Sequence, residues 1–422
     1  MPPLLTKNNN DNEPASVPGI GLARVWVLIG AFVYLLLVGV GVIGDGFKWI
    51  SGGAQGAVQI FAFADNPIVG VLLGTLATAL VQSSSTVTSV IVGLVAGGVP
   101  VEIAVPMIMG ANMGTTITNT IVSLGNIGER SIFNKSFQAA TVHDFFNLYS
   151  ILIFLPVEIL FHPLERIAGS MAGWFAGGAD ASVSDLNFVG AITKPVSKIV
   201  IGTLDVLPPT VGALLAIAVG IGLVIGSVLY LGKLLRSVMS GKAMHIVHNA
   251  IGGGPIKGIA TGTIVTVLVQ SSSTTTSLVV PLAGAGILNT RQVYPFTLGA
   301  NIGTCITALL AATAISGPAQ VFALQIALVH LLYNVFGVLV FTVIPGVRDL
   351  PVRSAQWLGN KAEGNRSWAF GYIAGVFFMM PGVVFAGEVL LGQAPMPAAT
   401  VDKTAVVSEA REEAGEAEVT VE

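Results

Sequence analysis

One heptapeptide, Leu-Val-Gln-Ser-Ser-Ser-Thr, occurs twice in this chain, at Leu80–Thr86 and without change at Leu268–Thr274. Each copy sits in the middle of a charge-free stretch, Asn66–Val101 and Gly258–Thr290. A straight helix through about 33 such residues would be roughly 50 Å long, well beyond a hydrocarbon core of about 30 Å. Four polar residues at its centre would also make a poor lipid-facing surface. The pattern predicts two half-helices folded back at each Gln-Ser-Ser-Ser turn, over 66–98 and 255–288. Irregular backbone at that depth is tolerated only where it is buried in protein or lines a cavity.

Composition supports this setting. Of 422 residues, 53% are hydrophobic and 10% charged, with a mean hydropathy of +0.82; soluble domains carry about 25% charge. Val25–Gly44, Leu207–Gly232 and Gln292–Val347 are further charge-free stretches long enough to span a bilayer. The expected fold class is an all-α polytopic membrane protein, with helices near 24–44, 102–124, 136–160, 209–232, 292–315, 319–345 and 367–390 besides the two hairpins. A net charge of −3 offers no basic footprint for nucleic acid. The one cysteine, Cys305, forms no disulfide framework and reads as a small packing residue. Met1–Gly19 is polar with little basic charge, unlike a signal peptide.

The duplication extends beyond the heptapeptide. Thr88-Ser89 recurs as Thr276-Ser277, offset 188 (276 minus 88). Gly110-Ala111-Asn112-Met113-Gly114-Thr115-Thr116-Ile117-Thr118 matches Gly299-Ala300-Asn301-Ile302-Gly303-Thr304-Cys305-Ile306-Thr307, and Pro106 matches Pro295. His143 and Asn147 match His330 and Asn334. Three motifs in one order imply two repeats, 24–161 and 207–346. Between them lies a loop, 162–206; a basic loop, 347–366, a final helix, 367–392, and disordered tails, 1–23 and 393–422, complete the expected organisation. By the positive-inside rule, the loops bearing Arg130 and Lys135, then Lys233, Arg236 and Lys242, then Arg348, Arg353, Lys361 and Arg366, face the cytoplasm. The 162–206 loop is then outside, and the halves enter with opposite orientation, as inverted repeats require. A count of crossings sets the acidic C-terminal tail outside as well.

Matched broken segments in two halves point to a binding site at the membrane midplane. Each Gln-Ser-Ser-Ser turn would present a half-helix N-terminus, which attracts anions, with Gln82, Ser83, Ser84 and Ser85 in one copy and Gln270, Ser271, Ser272 and Ser273 in the other. Asn112, Thr115, Thr118, Asn301, Thr304 and Thr307 supply neutral oxygens, which suit a hard monovalent cation and not a transition metal. Asp144 is the one carboxylate well inside a hydrophobic segment; it is read as a cation ligand. Its counterpart is Leu331, so this feature breaks the symmetry. His143 and His330 are read as helix contacts. No Lys or Arg lies inside a hydrophobic span, so an anion would be neutralised by helix ends, hydroxyls and co-bound cations, and its binding would depend on theirs.

These residues resemble the type II sodium–phosphate cotransporter family, whose signature is a duplicated Gln-Ser-Ser-Ser hairpin followed by Gly-x-Asn-x-Gly-Thr-x-x-Thr. The resemblance covers roughly residues 25–390 and includes Ala140-Thr141-Val142-His143-Asp144-x-x-Asn147. It implies phosphate sites at Gln82–Ser85 and Gln270–Ser273, joined here by Asn112 and Asn301. It implies sodium ligands at Thr120, Gln270, Ser271, Thr304 and Thr307, with Thr115 and Thr118 as their neighbours. Asp144 matches a family aspartate tied to an additional sodium and net charge movement. The family's outer loop carries paired cysteines absent here, some relatives have Ser where Ala300 stands, and both family termini are cytoplasmic.

The expected function is sodium-coupled import of inorganic phosphate across a plasma membrane of the bacterial inner-membrane type, by alternating access, with sodium as co-transported ion and no cofactor. Another small anion, a dicarboxylate or sulfate, is the alternative cargo. A serine hydrolase would need a nucleophile elbow or a Ser-Lys pair within the membrane, and the sequence has neither. A purely structural role would bury polar repeats without return.

Overall fold

The computed structural model describes residues 22–61, 64–177, 187–250 and 254–391; the expected tails lie almost entirely outside them. Among the described residues there is no strand. The helices are α1 (Leu22–Ser51), α2 (Ala54–Ile60), α3 (Pro67–Val81), α4 (Ser84–Ala96), α5 (Val101–Thr115), α6 (Ile117–Leu124), α7 (Arg130–Phe161), α8 (Pro163–Gly177), α9 (Asn187–Leu204) and α10 (Pro209–Ala250). There follow α11 (Pro255–Val269), α12 (Ser272–Ser277), α13 (Val279–Gly284), α14 (Thr290–Ala312), α15 (Ala319–Val343), α16 (Leu350–Gly364), α17 (Ser367–Ala374), a π-helical turn (Gly375–Met379) and α18 (Met380–Leu391). Among the described residues, five helices are long and apolar enough to cross a membrane: α1, α7, α14, α15 and the Pro209–Leu235 part of α10. Phe385–Glu422 stands as a unit separate from Met1–Val384, and of it the structure describes the last residues of α18. All that follows concerns the first unit.

Both charge-free stretches break at Gln-Ser-Ser-Ser, giving α3–α4 and α11–α12–α13. Pro67 and Pro255 occupy first-turn positions, where a missing N–H costs nothing. The two halves then repeat one packing. Helix α3 lies on α5 so closely that a Cβ on Gly110 would run into the Val71 carbonyl, and one on Gly74 into that of Met107. Helix α11 lies on α14 in the same way, with Gly299 against the Ile259 carbonyl and Gly262 against that of Phe296. The Thr75 hydroxyl donates to Val71 O (2.8 Å) and Gly110 O (3.2 Å); Thr263 does the same to Ile259 O (2.9 Å) and Gly299 O (3.1 Å). Between apolar helices in lipid, such close backbone approach supplies the association that hydrophobicity cannot. Helices α1 and α10 pair similarly, through Gly39 on Gly220 and Gly46 on Ala216.

The structure departs from sequence expectation at four places. The segment expected as a 162–206 loop carries α8 and α9. Leu164, Ala168 and Ala172 of α8 are buried at helical spacing, and Gln325 of α15 donates to Glu165 O at 3.0 Å. The 347–366 loop carries α16, whose Val352, Ala355, Leu358 and Ala362 are buried beneath polar links from Asn134 to Glu363 (2.6 Å) and from Tyr149 to Ser354 (2.7 Å). The 102–124 helix divides at Thr116 into α5 and α6, while its repeat partner α14 is continuous. The 367–390 helix is interrupted by the π-helical turn, which begins three residues after Tyr372. Pro381 follows that turn and lacks the N–H an α-helix would use there.

Candidate ligand-binding site

The two turns have one geometry. Gln82 (φ 58°, ψ 27°) and Gln270 (φ 55°, ψ 29°) are left-handed, a conformation uncommon for residues other than glycine. Side-chain bonds hold each of them there. Gln82 Nε2 donates to Ala79 O (2.5 Å), and Oε1 accepts from the Thr118 hydroxyl (2.8 Å). Gln270 Nε2 donates to Val267 O (2.6 Å), and Oε1 accepts from the Thr307 hydroxyl (2.9 Å). Ser83 and Ser271 follow in extended backbone and cap the next helix, their Oγ accepting from Thr86 N (3.3 Å) and Thr274 N (3.2 Å). Serine is favoured there because its oxygen satisfies one of the helix's free N–H groups.

Both turns open onto one cavity of about 290 Å³. Gln82, Ser83, Thr118, Gln270, Ser271, Ser273, Thr274 and Ser277 line it, with Val228, Leu229 and Gly232 of α10 as an apolar wall. The lining carries no charge: two carboxamides, hydroxyls and backbone face the space. Ser84, Ser85 and Ser272 are buried in the first turns of their helices and do not line it. Thr115 and Thr304 donate back to Ala111 O (3.0 Å) and Ala300 O (3.1 Å) within their own helices; they too lie outside the lining. Sequence reasoning noticed Thr276-Ser277 as part of the repeat but missed Thr274 and Ser277 as lining, and α10 altogether. The hydroxyl spacing was the available signal for the first two; the α10 residues carry none.

Asn112 and Asn301 also lie off the cavity, and they join the halves crosswise. Asn112 of α5 accepts from His330 Nε2 (3.1 Å) and donates to Asn334 Oδ1 (2.9 Å), both on α15. Asn301 of α14 accepts from His143 Nε2 (2.6 Å) and donates to Asn147 Oδ1 (2.8 Å), both on α7. All six side chains are buried. His143 Nδ1 faces Asn119 Nδ2 at 3.5 Å, which leaves the proton on Nε2. Asn119 Oδ1 in turn accepts from the Thr276 (2.9 Å) and Ser277 (3.0 Å) hydroxyls, so the network runs from the interface between halves to the cavity edge.

The break between α5 and α6 belongs to this junction. Asn119 N bonds Thr116 O (3.1 Å) instead of Thr115 O, and Thr115 O accepts from the Ser273 hydroxyl at 3.5 Å. Opposite it, α12 and α13 part at Leu278 where α4 is unbroken, because Pro281 cannot donate to Ser277 O. One broken helix from each half thus meets at the same place.

Asp144 is fully buried in α7 and does not line the cavity. Its Oδ2 accepts from the Thr120 hydroxyl at 3.0 Å, and its Oδ1 has no hydrogen-bond partner. Thr120 joins it on α6, while Gln270, Ser271 and Thr307 gather at the second turn, and Thr118 stands at the first. Of the expected ligands, Thr118, Gln270 and Ser271 thus stand at the cavity with Thr307 bonded to Gln270, Asp144 and Thr120 form a second group, and Thr115 and Thr304 belong to neither.

A family model described as Na+/Pi-cotransporter matches residues 35–171 and 215–349, two spans that coincide with the two halves of the repeated packing. The chain is similar to sodium-dependent phosphate transport protein 2B of Pongo abelii, 33% identical over 86% of this chain and 65% of that protein. It is equally similar to the 2B protein of Homo sapiens (33%, 86% and 65%) and to the 2A protein of Rattus norvegicus (33%, 87% and 68%). The chain thus spans about two thirds of the length of these curated relatives. No solved structure matches it.

Proposed function

Because the chain belongs to the Na+/Pi-cotransporter family, we propose that it is a sodium-coupled symporter that imports inorganic phosphate by alternating access, and not an enzyme. The observation that carries this reading is the single neutral cavity onto which both Gln-Ser-Ser-Ser turns open. Phosphate would sit between the turns, against Gln82, Ser83, Gln270, Ser271 and Ser273. The helix N-termini behind Ser83 and Ser271 offer free N–H groups and the positive ends of their dipoles. No lining side chain is basic, so a multiply charged anion would be left under-neutralised in a low-dielectric site. Sodium would complete the balance at Gln270, Ser271, Thr118 and Thr307, with Thr304 and Thr115 behind them, and a further sodium at Asp144 and Thr120. Each ion then raises the affinity for the other, the condition for symport.

Asn112 and Asn301 would serve this site as supports, fixing the two halves about the cavity, and Ser84, Ser85 and Ser272 through their backbone groups. The re-entrant hairpins, the inverted orientation of the halves and a bacterial inner-membrane location belong to the same reading. Transport would be electrogenic, with Asp144 setting the charge moved: Asp144→Gly should abolish phosphate-evoked current while leaving some sodium-dependent uptake, and an unchanged current would refute that role. Radiolabelled phosphate uptake into proteoliposomes tests the whole. Uptake should follow an inward sodium gradient; indifference to it would sink the proposal. Competition by arsenate but not by sulfate or dicarboxylates would set phosphate apart from the alternative anions.

A further inference from the structure

Tyr372 lies on α17, outside both spans matched by the family model, yet its hydroxyl stands beside the Asp144 carboxyl. Both Asp144 Oδ1 and Tyr372 Oη are buried, and although the two groups are neighbours neither atom has a partner in hydrogen-bonding geometry. A buried tyrosine hydroxyl kept for packing alone would be expected to find a partner, and an orphaned buried carboxylate oxygen is costlier still. Thr120 donates to Asp144 Oδ2 at 3.0 Å, and Thr116, whose hydroxyl donates to Met113 O at 2.9 Å, is a neighbour of the same carboxyl. One carboxylate, one phenol and two hydroxyls, from α7, α17, α6 and the α5–α6 break, therefore converge. The second half offers nothing similar: Leu331, Cys305 and Leu309 occupy the positions of Asp144, Thr116 and Thr120.

Resting on the function proposed above, we propose that Tyr372 is a ligand of the sodium held at Asp144, supplied by the C-terminal helices and not by either repeat. An all-oxygen set with a single charge suits a hard monovalent cation and excludes metals that need His or Cys. The placement of Tyr372 is firm at one end and adjustable at the other. At the N-terminus of α17, the Arg366 guanidinium lies 4.7 Å over the Phe133 ring and donates to Ile127 O at 3.1 Å. The tyrosine ring packs between Phe145 (5.8 Å) and Phe377 (6.3 Å). The π-helical turn at Gly375–Met379 begins three residues later, a distortion that recurs at functional sites. Tyr372 also lines an open cavity of about 420 Å³ with Trp357, Asn365, Ser367 and Trp368.

Tyr372→Phe in the full chain tests this, since it keeps the ring packing and removes only the oxygen. In proteoliposomes at saturating phosphate, the sodium concentration for half-maximal uptake should rise about tenfold, the change that 1.4 kcal/mol corresponds to. The phosphate KM at saturating sodium should not move. In detergent, the melting temperature in choline should be unchanged while the stabilisation by sodium shrinks, and in an Asp144→Asn background Tyr372→Phe should reduce it no further. Wild-type sodium dependence in Tyr372→Phe, an additive loss in the double variant, or a melting temperature lowered equally in sodium and choline would each overturn the assignment. If the wild-type protein itself shows no sodium-dependent uptake, it is the proposed function that fails.

Discussion

Asn301→Leu separates a supporting role from a ligand role. The substitution conserves size and removes both polar atoms of a side chain that is 3% exposed. It strands His143 Nε2, now 2.6 Å from Asn301 Oδ1, and Asn147 Oδ1, 2.8 Å from Asn301 Nδ2. Each stranded buried group costs about 1–3 kcal/mol by the measure of soluble proteins. Polar contacts between membrane helices average nearer 0.6 kcal/mol, because the unfolded chain in the bilayer also finds partners. Two bonds bracketed by those values give a loss of about 1–6 kcal/mol. Asn112→Leu, which strands His330 Nε2 and Asn334 Oδ1 in the mirror position, should lose a similar amount. Denaturant unfolding of the detergent-solubilised protein measures the loss, and phosphate KM in proteoliposomes gives the second reading. Unchanged stability together with a weakened phosphate KM would refute the supporting role and make the asparagine a direct contact.

Other substitutions probe neighbouring parts. Thr266→Val should leave stability within about 1 kcal/mol of wild type or raise it, because the Thr266 hydroxyl is buried without a partner and its replacement strands nothing; a large loss in the same unfolding assay would contradict this. Gly299→Ala should destabilise by about 1–3 kcal/mol, since its Cβ would meet the Ile259 carbonyl, and Gly110→Ala should match it against Val71. Thr307→Val removes the donor that holds Gln270 Oε1; losing one such bond, about 1 kcal/mol, should weaken half-saturation of phosphate uptake roughly fivefold with little change in melting temperature.

The sequence was most legible where a pattern was both local and doubled. A charge-free stretch too long for one span, broken by Gln-Ser-Ser-Ser, led to two helices with a left-handed glutamine between them. The repeat offsets located the matched segments that become α3 with α5 and α11 with α14. Charge hid what amphipathic helices would have revealed. In α16 the stripe Val352, Ala355, Leu358 and Ala362 was present all along, but Arg348, Arg353, Lys361 and Arg366 drew the reading toward a loop. In α8 the stripe of Leu164, Ala168 and Ala172 rested on small residues with little hydropathy.

The crosswise asparagine network could not be read locally at all. Asn112 and His330 are 218 residues apart, and only the packed halves decide whether a carboxamide faces a cavity or another helix. The same holds for Val228 and Leu229, whose apolar character gives no sign that they wall a polar space. Asymmetry was legible in part. Asp144 against Leu331 was plain in the alignment of the halves, whereas the break at Thr116 and the reach of Tyr372 emerge only in three dimensions.

Direct titration of phosphate into the detergent-solubilised chain, in sodium and then in equimolar choline, addresses the central claim, that an uncharged cavity binds this anion only with its cations. Phosphate should bind in sodium and lose at least tenfold in affinity in choline, and phosphate should tighten sodium binding by the same factor. Equal phosphate affinity in the two salts would contradict the account.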